Sequence, residues 1–169
     1  MYDKFSFNEY KEELELIETQ NKVECDLYSI IVCLIRKSQH GRGISVRDVS
    51  ARRSTEFSNV FKGDGGFPDF VIRTRIKSND AENLGAIEVK YLNKNLDDED
   101  NRQQLSGHIV WYKKVIYTNG LEWRFYNEKE KTPEWTICLG EYKNENIVWF
   151  EESKWKELLD GLNEIQWNA

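Results

Sequence analysis

Three charged side chains in two neighbouring apolar segments have the types and the spacing for metal-assisted chemistry. Asp69 stands at the start of one segment, and Glu88 and Lys90 lie two residues apart in the next. Because side chains alternate between the faces of a strand, Glu88 and Lys90 share one face, and a turn centred near 78–79 would place Asp69 opposite Glu88. Oxygen ligands suit Mg²⁺, which takes few protein carboxylates and completes its coordination with water and substrate phosphate. The spacing therefore predicts a divalent-metal site in which Lys90 orients or deprotonates the attacking water.

The Glu-x-Lys pattern is common, so it indicates a metal site only where it lies in a buried strand. Segments 9–11 and 152–154 also match it, but both are polar and are predicted to be helical. Only Glu88 and Lys90 lie in a predicted buried strand, where unpaired charges would be costly. The alternative interpretation is a structural ion pair at a sheet edge.

Two further polar side chains are predicted to face the same hairpin from flanking helices. One helix is predicted over roughly 9–37. With a rotation of about 100° per residue, Glu24 lies on its apolar face, and a buried glutamate needs a partner. On a second helix, from about 97 to 113, Gln104 points towards the buried side. The alternatives are a purely structural pairing of Glu24 with Lys90, and a Gln104 side chain that caps a sheet edge.

The other hydrophobic and turn patterns supply the elements that would position these residues. Apolar residues at helical spacing predict the first helix, and runs rich in Val, Ile and Phe between turn residues predict strands. Asn119-Gly120 is a strong hairpin signal. The predicted order α-β-β-β-α-β-β-β-β-α favours a single α/β domain over 1–169, with a central mixed β-sheet flanked by helices. The strands are expected near 44–50, 67–76, 84–92, 115–118, 121–126, 134–139 and 146–150, and the closing helix near 151–163.

The order and spacing of these motifs resemble a known family. Segment 66–72, a hairpin, and then segment 86–90 are similar to the signature of the PD-(D/E)xK nuclease superfamily. The helix at 104–112 and the following segment 116–126 resemble the nuclease domains of type I restriction subunits and of fused restriction–modification enzymes. The resemblance covers roughly residues 20–127. It implies a restriction-endonuclease-like core and metal-dependent hydrolysis of the phosphodiester bonds of DNA.

The resemblance also assigns roles to the candidate residues. It implies that Asp69 and Glu88 hold Mg²⁺, or Mn²⁺ in its place, and that Glu24 joins them at the metal. Lys90 would assist the attacking water, and Gln104 would support it. The expected function is that of a restriction or defence endonuclease. The alternative is a non-catalytic subunit of this fold that binds nucleic acid or protein within a larger complex.

Charge is distributed unevenly along the chain, although the net charge is −6. Residues 36–77 hold ten basic and four acidic side chains, a net charge of +6, and such a stretch could face a polyanion. The loop with Arg52, Arg53 and Lys62 is the candidate nucleic-acid contact, because these side chains can reach phosphates; a solvated loop is the alternative.

DNA is the expected partner, with RNA as the alternative. The overall acidity favours a homodimer or a recognition or translocase partner, since the domain alone should bind nucleic acid weakly.

Composition excludes several classes of protein. The chain has 169 residues, of which 39% are hydrophobic, as is typical of one globular domain. No apolar run approaches the ~20 residues that span a bilayer, and the N-terminus lacks the apolar core of a signal peptide, so a cytoplasmic protein without a membrane segment is expected. Three cysteines without a CxxC motif and two histidines argue against a disulfide framework and a histidine-rich zinc site. His40 and His108 are expected to be surface or hydrogen-bonded residues.

Overall fold

The computed structural model describes residues 5–51, 58–128 and 130–168. These ranges form an α/β fold in which helices flank a six-stranded mixed sheet, which confirms the predicted fold class. Within them, no helix combines the length and the apolarity that a membrane crossing requires. The helices are α1 Phe7–Gln20, α2 Leu27–Lys37, α3 Glu99–Trp111 and α4 Glu152–Glu164. The strands are β1 Ile44–Asp48, β2 Phe70–Thr74, β3 Asn83–Val89, β4 Lys114–Thr118, β5 Glu122–Asn127, β6 Trp135–Cys138, β7 Gly140–Lys143 and β8 Asn146–Trp149.

The six strands of the main sheet follow one another in the order β1-β2-β3-β4-β5-β6. All neighbours are antiparallel except β3 and β4, which run parallel because α3 carries the chain back across the sheet between them. Asn119-Gly120 turns the chain from β4 into β5, as predicted, and Gly120 has a φ of 85°, which glycine adopts without strain.

The β2–β3 hairpin has the register that the sequence predicts. Phe70 pairs with Ile87, so Asp69, which directly precedes β2, comes opposite Glu88. A register shift after Ile72 lies further along the hairpin and leaves this end intact. The hairpin therefore brings two carboxylates to one edge of the sheet.

Alternating side chains of the sheet enter two cores, one on each face. The larger core takes Ile87 and Val89 of β3 together with apolar residues of α1, α2 and α4. The smaller core takes Ala86 of β3 together with Leu105 and other residues of α3. Glu88 lies on the same face as Ala86, so its charge points into the space beneath α3.

The predicted single helix over 9–37 is wrong, because the chain divides it into α1 and α2. Lys22 takes a φ of 56° between the two helices, which no helical residue has. Val23, an apolar residue that a continuous helix would place on its buried face, is 37% exposed. Glu24 lies in a short 3₁₀ turn, Glu24–Asp26, directly before α2.

The region after β5 holds one strand more than predicted. Strands are expected near 134–139 and 146–150, but β6, β7 and β8 lie there, and β7 pairs with β8 in a separate two-stranded sheet. Asn144 and Glu145 join β7 to β8 with φ angles of 49° and 60°, the left-handed conformation of a tight hairpin turn. β7 starts with Gly140 and a glutamate, residue types that are depleted in strands. The composition of this segment therefore does not predict a strand.

Candidate active site

The β2–β3 hairpin and α2 together hold the Asp69 carboxylate. The backbone N–H of Val89 donates a hydrogen bond of 2.8 Å to Asp69 Oδ2. The hydroxyl of Tyr28 in α2 donates one of 2.5 Å to Asp69 Oδ1, and the Tyr28 ring packs edge-on against Phe70 with centroids 4.9 Å apart. The carboxylate is therefore fixed in direction, while each oxygen keeps a lone pair for a further ligand.

Glu88, Lys90 and Gln104 form a connected group beside Asp69. Lys90 Nζ donates to Glu88 Oε1 at 2.7 Å and to Gln104 Oε1 at 2.9 Å. Glu88 is only 3% exposed, so its charge requires this compensation. The structure thus brings four of the sequence-predicted residues together at one edge of the sheet, with Gln104 reaching the group from α3. Their chemical roles stay predictions.

Glu24 shares the electrostatic environment of this group, although it comes from a different element than predicted. It is half-buried in the 3₁₀ turn before α2. Burial raises the pKa of Glu24, while the Lys90 ammonium opposes the rise and the Glu88 carboxylate adds to it. Glu24 therefore lies within electrostatic reach of Lys90 and Glu88.

His108 of α3 is a site residue that sequence reasoning missed. Its side chain is completely buried, and its Nε2 lies 3.3 Å from Glu88 Oε2. Within the described part of the chain, neither ring nitrogen of His108 nor Glu88 Oε2 has a hydrogen-bond partner, which is rare for buried polar atoms. The sequence does carry one signal: His108 follows Gln104 by four residues, so both face the same side of α3.

The buried carboxyl groups of Asp69 and Glu88 have pKa values that are shifted in opposite directions. Burial and the nearby Glu88 charge raise the pKa of Asp69 to about 7, although its hydrogen bonds act against the rise. Burial alone would raise the pKa of Glu88 as well, but the contacts with His108 and Lys90 outweigh it and lower that pKa. Glu88 is therefore the charged partner near neutral pH, and Asp69 is the group that exchanges a proton.

The residues present fit a metal site in which the protein supplies two carboxylates. Among the described residues, no group of three or more His, Cys, Asp or Glu side chains is placed to hold a metal ion, so Asp69, Glu88 and Glu24 are not a preassembled cage. Mg²⁺ does not need one, because it commonly binds one or two carboxylates together with water and phosphate. A cation would relieve the raised pKa of Asp69. Glu88 Oε2 faces His108 Nε2 at 3.3 Å without a hydrogen bond, so it keeps a lone pair for a ligand.

A close backbone contact fixes α3 against the loop that leads into Asp69. A Cβ on Gly107 of α3 would lie 2.3 Å from the backbone nitrogen of Gly65. A Cβ on Gly65 would lie 2.6 Å from the carbonyl oxygen of Gln104. Only glycine permits this approach at either position, so the helix and the loop hold each other in place.

Gly107→Ala is expected to destabilise the protein by about 1–3 kcal/mol, the usual cost of overpacking. Alanine is the better helix former by about 1 kcal/mol, so helix propensity alone predicts the opposite sign. Urea unfolding followed by circular dichroism measures the difference. Ser106→Ala, at an exposed position of the same helix, is the matched control and should change stability by less than about 0.5 kcal/mol. A Gly107→Ala variant as stable as the wild type would contradict the contact with Gly65.

The predicted nucleic-acid contacts are only partly covered by the structure. Arg52 and Arg53 lie outside the described residues. Lys62 is exposed directly after the 3₁₀ turn Asn59–Phe61, on the segment that leads to Asp69. Its contact with nucleic acid stays a prediction.

Comparison with known proteins concerns the fold. The chain is similar to DrdV in the cryo-electron microscopy structure of its complex with DNA, with a TM-score of 0.58 and 15% sequence identity. The similarity covers 94% of this chain and 14% of the DrdV chain, so this chain spans only a small part of that protein's length. No protein-family model and no curated protein sequence matches the chain. The similarity shows that the chain shares the α/β fold of part of DrdV, and this fold is compatible with a restriction-endonuclease-like core.

Proposed function

We propose that this protein is a metal-dependent nuclease that hydrolyses the phosphodiester bonds of DNA. One observation carries the proposal: the charged Glu88, bonded to Lys90 at 2.7 Å, stands beside Asp69, whose pKa is raised to about 7. Two carboxylates and an ammonium group in this arrangement can hold a divalent cation and direct water at a phosphate. The resemblance to PD-(D/E)xK nucleases and the similarity in fold to DrdV, which was seen in complex with DNA, support DNA as the substrate.

Asp69 and Glu88 would hold Mg²⁺, or Mn²⁺ in its place, with Glu24 adding its charge nearby. Bound there, the cation would neutralise charge that develops on the phosphate. The contribution of the protein is to fix the ligands in advance. Tyr28 and the Val89 backbone orient Asp69, so little reorganisation is needed when the substrate arrives.

Lys90 would hold the attacking water. Its ammonium group has three N–H donors, of which Glu88 and Gln104 take two, and its side chain is 13% exposed. The remaining N–H can donate to a water on the solvent side. Gln104 keeps the ammonium from rotating away, so it acts as a positioning residue.

A restriction or defence role is part of the same proposal, and it calls for further components. This chain covers 14% of the DrdV chain, and its net charge of −6 opposes tight DNA binding by the chain alone. We therefore propose that it acts as a homodimer or with a recognition or translocase partner. Arg52, Arg53 and Lys62 are the proposed phosphate contacts.

Cleavage at subsaturating Mg²⁺ is expected to rise about tenfold per pH unit below pH 7 and to level off above it. The reason is that a proton on Asp69, whose pKa is about 7, competes with the cation for the carboxylate. The rate of nicking of supercoiled plasmid, measured from about pH 5.5 to 8.5, tests both the function and its dependence on Asp69.

The Mg²⁺ concentration separates this competition from other sources of pH dependence. Raising Mg²⁺ about tenfold should move the midpoint of the profile down by up to about one pH unit, because the metal then displaces the proton more readily. Calorimetric titration with Mg²⁺ in two buffers of different ionisation enthalpy should show proton release near pH 6. A profile that is unaffected by Mg²⁺ concentration, with no proton release, would contradict a metal site at Asp69.

A non-catalytic module that binds nucleic acid or protein is the second candidate function. It is favoured by the lack, in the described ranges, of a group of three or more metal-ligating side chains. This function predicts DNA binding that is equal in EDTA and in Mg²⁺. The nuclease proposal predicts instead that Mg²⁺ binds and that the shape-preserving variant Glu88→Gln weakens its binding.

A further inference from the structure

A groove of about 1510 Å³ runs along α2, and its lining includes two residues that adjoin Asp69 but not Asp69, Glu88 or Lys90. These two residues are Tyr28, whose hydroxyl donates a hydrogen bond to Asp69, and Phe70, the first residue of β2, which directly follows Asp69. Towards its far end α4 also lines it, and the Asn163 side chain of α4 accepts a hydrogen bond of 2.8 Å from the Gln39 backbone N–H. This hydrogen bond connects the segment after α2 with α4, so it joins the two sides of the groove.

The groove is basic although the protein is acidic. Four basic and two acidic side chains line it, a net charge of +2, whereas the whole chain carries −6. Positive charge comes from both walls, since Arg36 belongs to α2 and Lys156 to α4. This charge is complementary to a phosphate backbone that lies along the groove. The basic residues are Arg36, Lys37, Arg42 and Lys156, and the acidic residues are Asp48 and Asp160.

The length and the aromatic lining of the groove suit a single nucleic-acid strand. α2 has 11 residues, so at about 1.5 Å per residue it extends for about 16 Å. That is the length of about five stacked nucleotides at about 3.4 Å each. Phe5 and Tyr28 line the groove with half-buried rings, on which bases can stack once they are unpaired. A duplex keeps its base faces inside its own stack and cannot use these rings.

We propose that this groove binds single-stranded DNA and leads its backbone to the edge where Asp69 and Glu88 meet. The substrate class would then be DNA with an unpaired segment of about five nucleotides next to the phosphate that is cut. The link to cleavage rests on the proposed nuclease function. Strand binding does not, because Arg36 and Lys156 are separate from the carboxylates and from Lys90.

The three cysteines allow the groove to be tested in the wild-type protein without metal. Cys25 and Cys33 line the groove, whereas Cys138 lies in β6 and does not. The experiment is done in EDTA, which prevents metal-dependent cutting, with oligo-dT of about ten nucleotides at twice its Kd. About two thirds of the protein is then bound, so maleimide alkylation of Cys25 and Cys33 should slow about threefold. Alkylation of Cys138 should be unchanged. Mass spectrometry of the three peptides gives all the rates from one sample.

Charge reversal tests the electrostatic part of the proposal. Arg36→Glu/Lys156→Glu should weaken oligo-dT binding by at least about tenfold and lower the slope of log affinity against log salt by about 1.4, the value for two lost phosphate contacts on a single strand. Lys113→Glu/Lys131→Glu makes the same change in net charge at exposed positions outside the groove and should stay within about twofold of the wild type. Fluorescence anisotropy measures binding, and circular dichroism shows that each variant is folded.

Four results would overturn the proposal. The first is that oligo-dT shows no measurable binding, and the second is that Cys25 and Cys33 are not protected when anisotropy shows saturation. The third is that a duplex of the same length protects them equally. The fourth is that the two double variants lose binding to the same extent. The nuclease proposal fails separately, if the protein binds the strand in the groove and does not cut it with Mg²⁺.

Discussion

Lys90→Met is expected to lower the rate of metal-dependent DNA cleavage by about 10²–10⁴-fold, the usual contribution of a group that orients or transfers a proton. Methionine keeps much of the side-chain length and removes the ammonium that bonds to Glu88 and Gln104. The loss should fall on kcat rather than on KM, because Lys90 acts on the water and not on the bound strand. Single-turnover cleavage of plasmid DNA measures the effect.

The matched control for this variant is Lys77→Met, at an exposed position near the turn of the same hairpin, which should leave the rate within about twofold. Lys90→Met removes one partner of the buried Glu88, and we expect this to cost about 1–3 kcal/mol of folding stability. Urea unfolding therefore has to show that the variant is folded under the assay conditions. A folded Lys90→Met protein that cuts within about tenfold of the wild-type rate would refute the role of Lys90.

Asp69→Asn is expected to abolish metal-dependent cleavage and also to make the protein more stable at about pH 8. The pKa of Asp69 is raised to about 7 by burial and by Glu88, whereas an unfolded chain has a value of about 3.9. Between these two values the folded protein binds a proton that the unfolded chain has released. Folding stability therefore falls as the pH rises from about 4 to 7, and above pH 7 the charged carboxylate carries its full cost. The neutral amide of asparagine avoids this cost.

The gain from Asp69→Asn should be at most about 4 kcal/mol at about pH 8 in EDTA, the equivalent of about three pKa units, and should vanish towards pH 4, where Asp69 is protonated in the folded state. Urea unfolding at several pH values measures it. Asp80→Asn, in the exposed turn of the same hairpin, is the control and should show neither a gain in stability nor a loss of activity. A stability difference between Asp69→Asn and the wild type that stays constant from pH 4 to 8 would contradict the raised pKa of Asp69.

The position of Asp69 opposite Glu88 could be predicted from the sequence because this strand pairing is local. A turn centred near 78–79 and the two-residue period of strands determine which side chains face each other. The observed pairing of Phe70 with Ile87 confirms that register. A hairpin closes between near neighbours in the chain, so few alternative pairings compete with it.

Glu24 shows where the helical wheel stops being reliable. The wheel needs one continuous helix, but α1 ends at Gln20 and Lys22 takes a positive φ. Neither glycine nor proline marks the break. Glu24 nevertheless lies near Lys90 and Glu88, because the packing of the 3₁₀ turn and α2 beside the hairpin decides its position.

His108 and the groove depend on contacts between distant parts of the chain. His108 approaches Glu88 because Gly107 lets α3 lie directly against the loop at Gly65. The four-residue spacing from Gln104 places His108 on the same side of α3, but no local pattern shows that α3 lies against the loop at Gly65. The groove needs α2 and α4, which come from opposite ends of the chain, and no local pattern predicts that they meet.

A cleavage assay on the wild type, Asp69→Asn and Asp80→Asn tests the central claim most directly. Supercoiled plasmid and single-stranded DNA are incubated with Mg²⁺ or Mn²⁺, and EDTA provides the metal-free control. We predict that the wild type and Asp80→Asn cut at equal rates and only with metal, and that Asp69→Asn does not cut. Equal cutting by Asp69→Asn, cutting that persists in EDTA, or a wild-type protein that binds both metal and DNA and cuts neither substrate would contradict a metal-dependent nuclease built on Asp69 and Glu88.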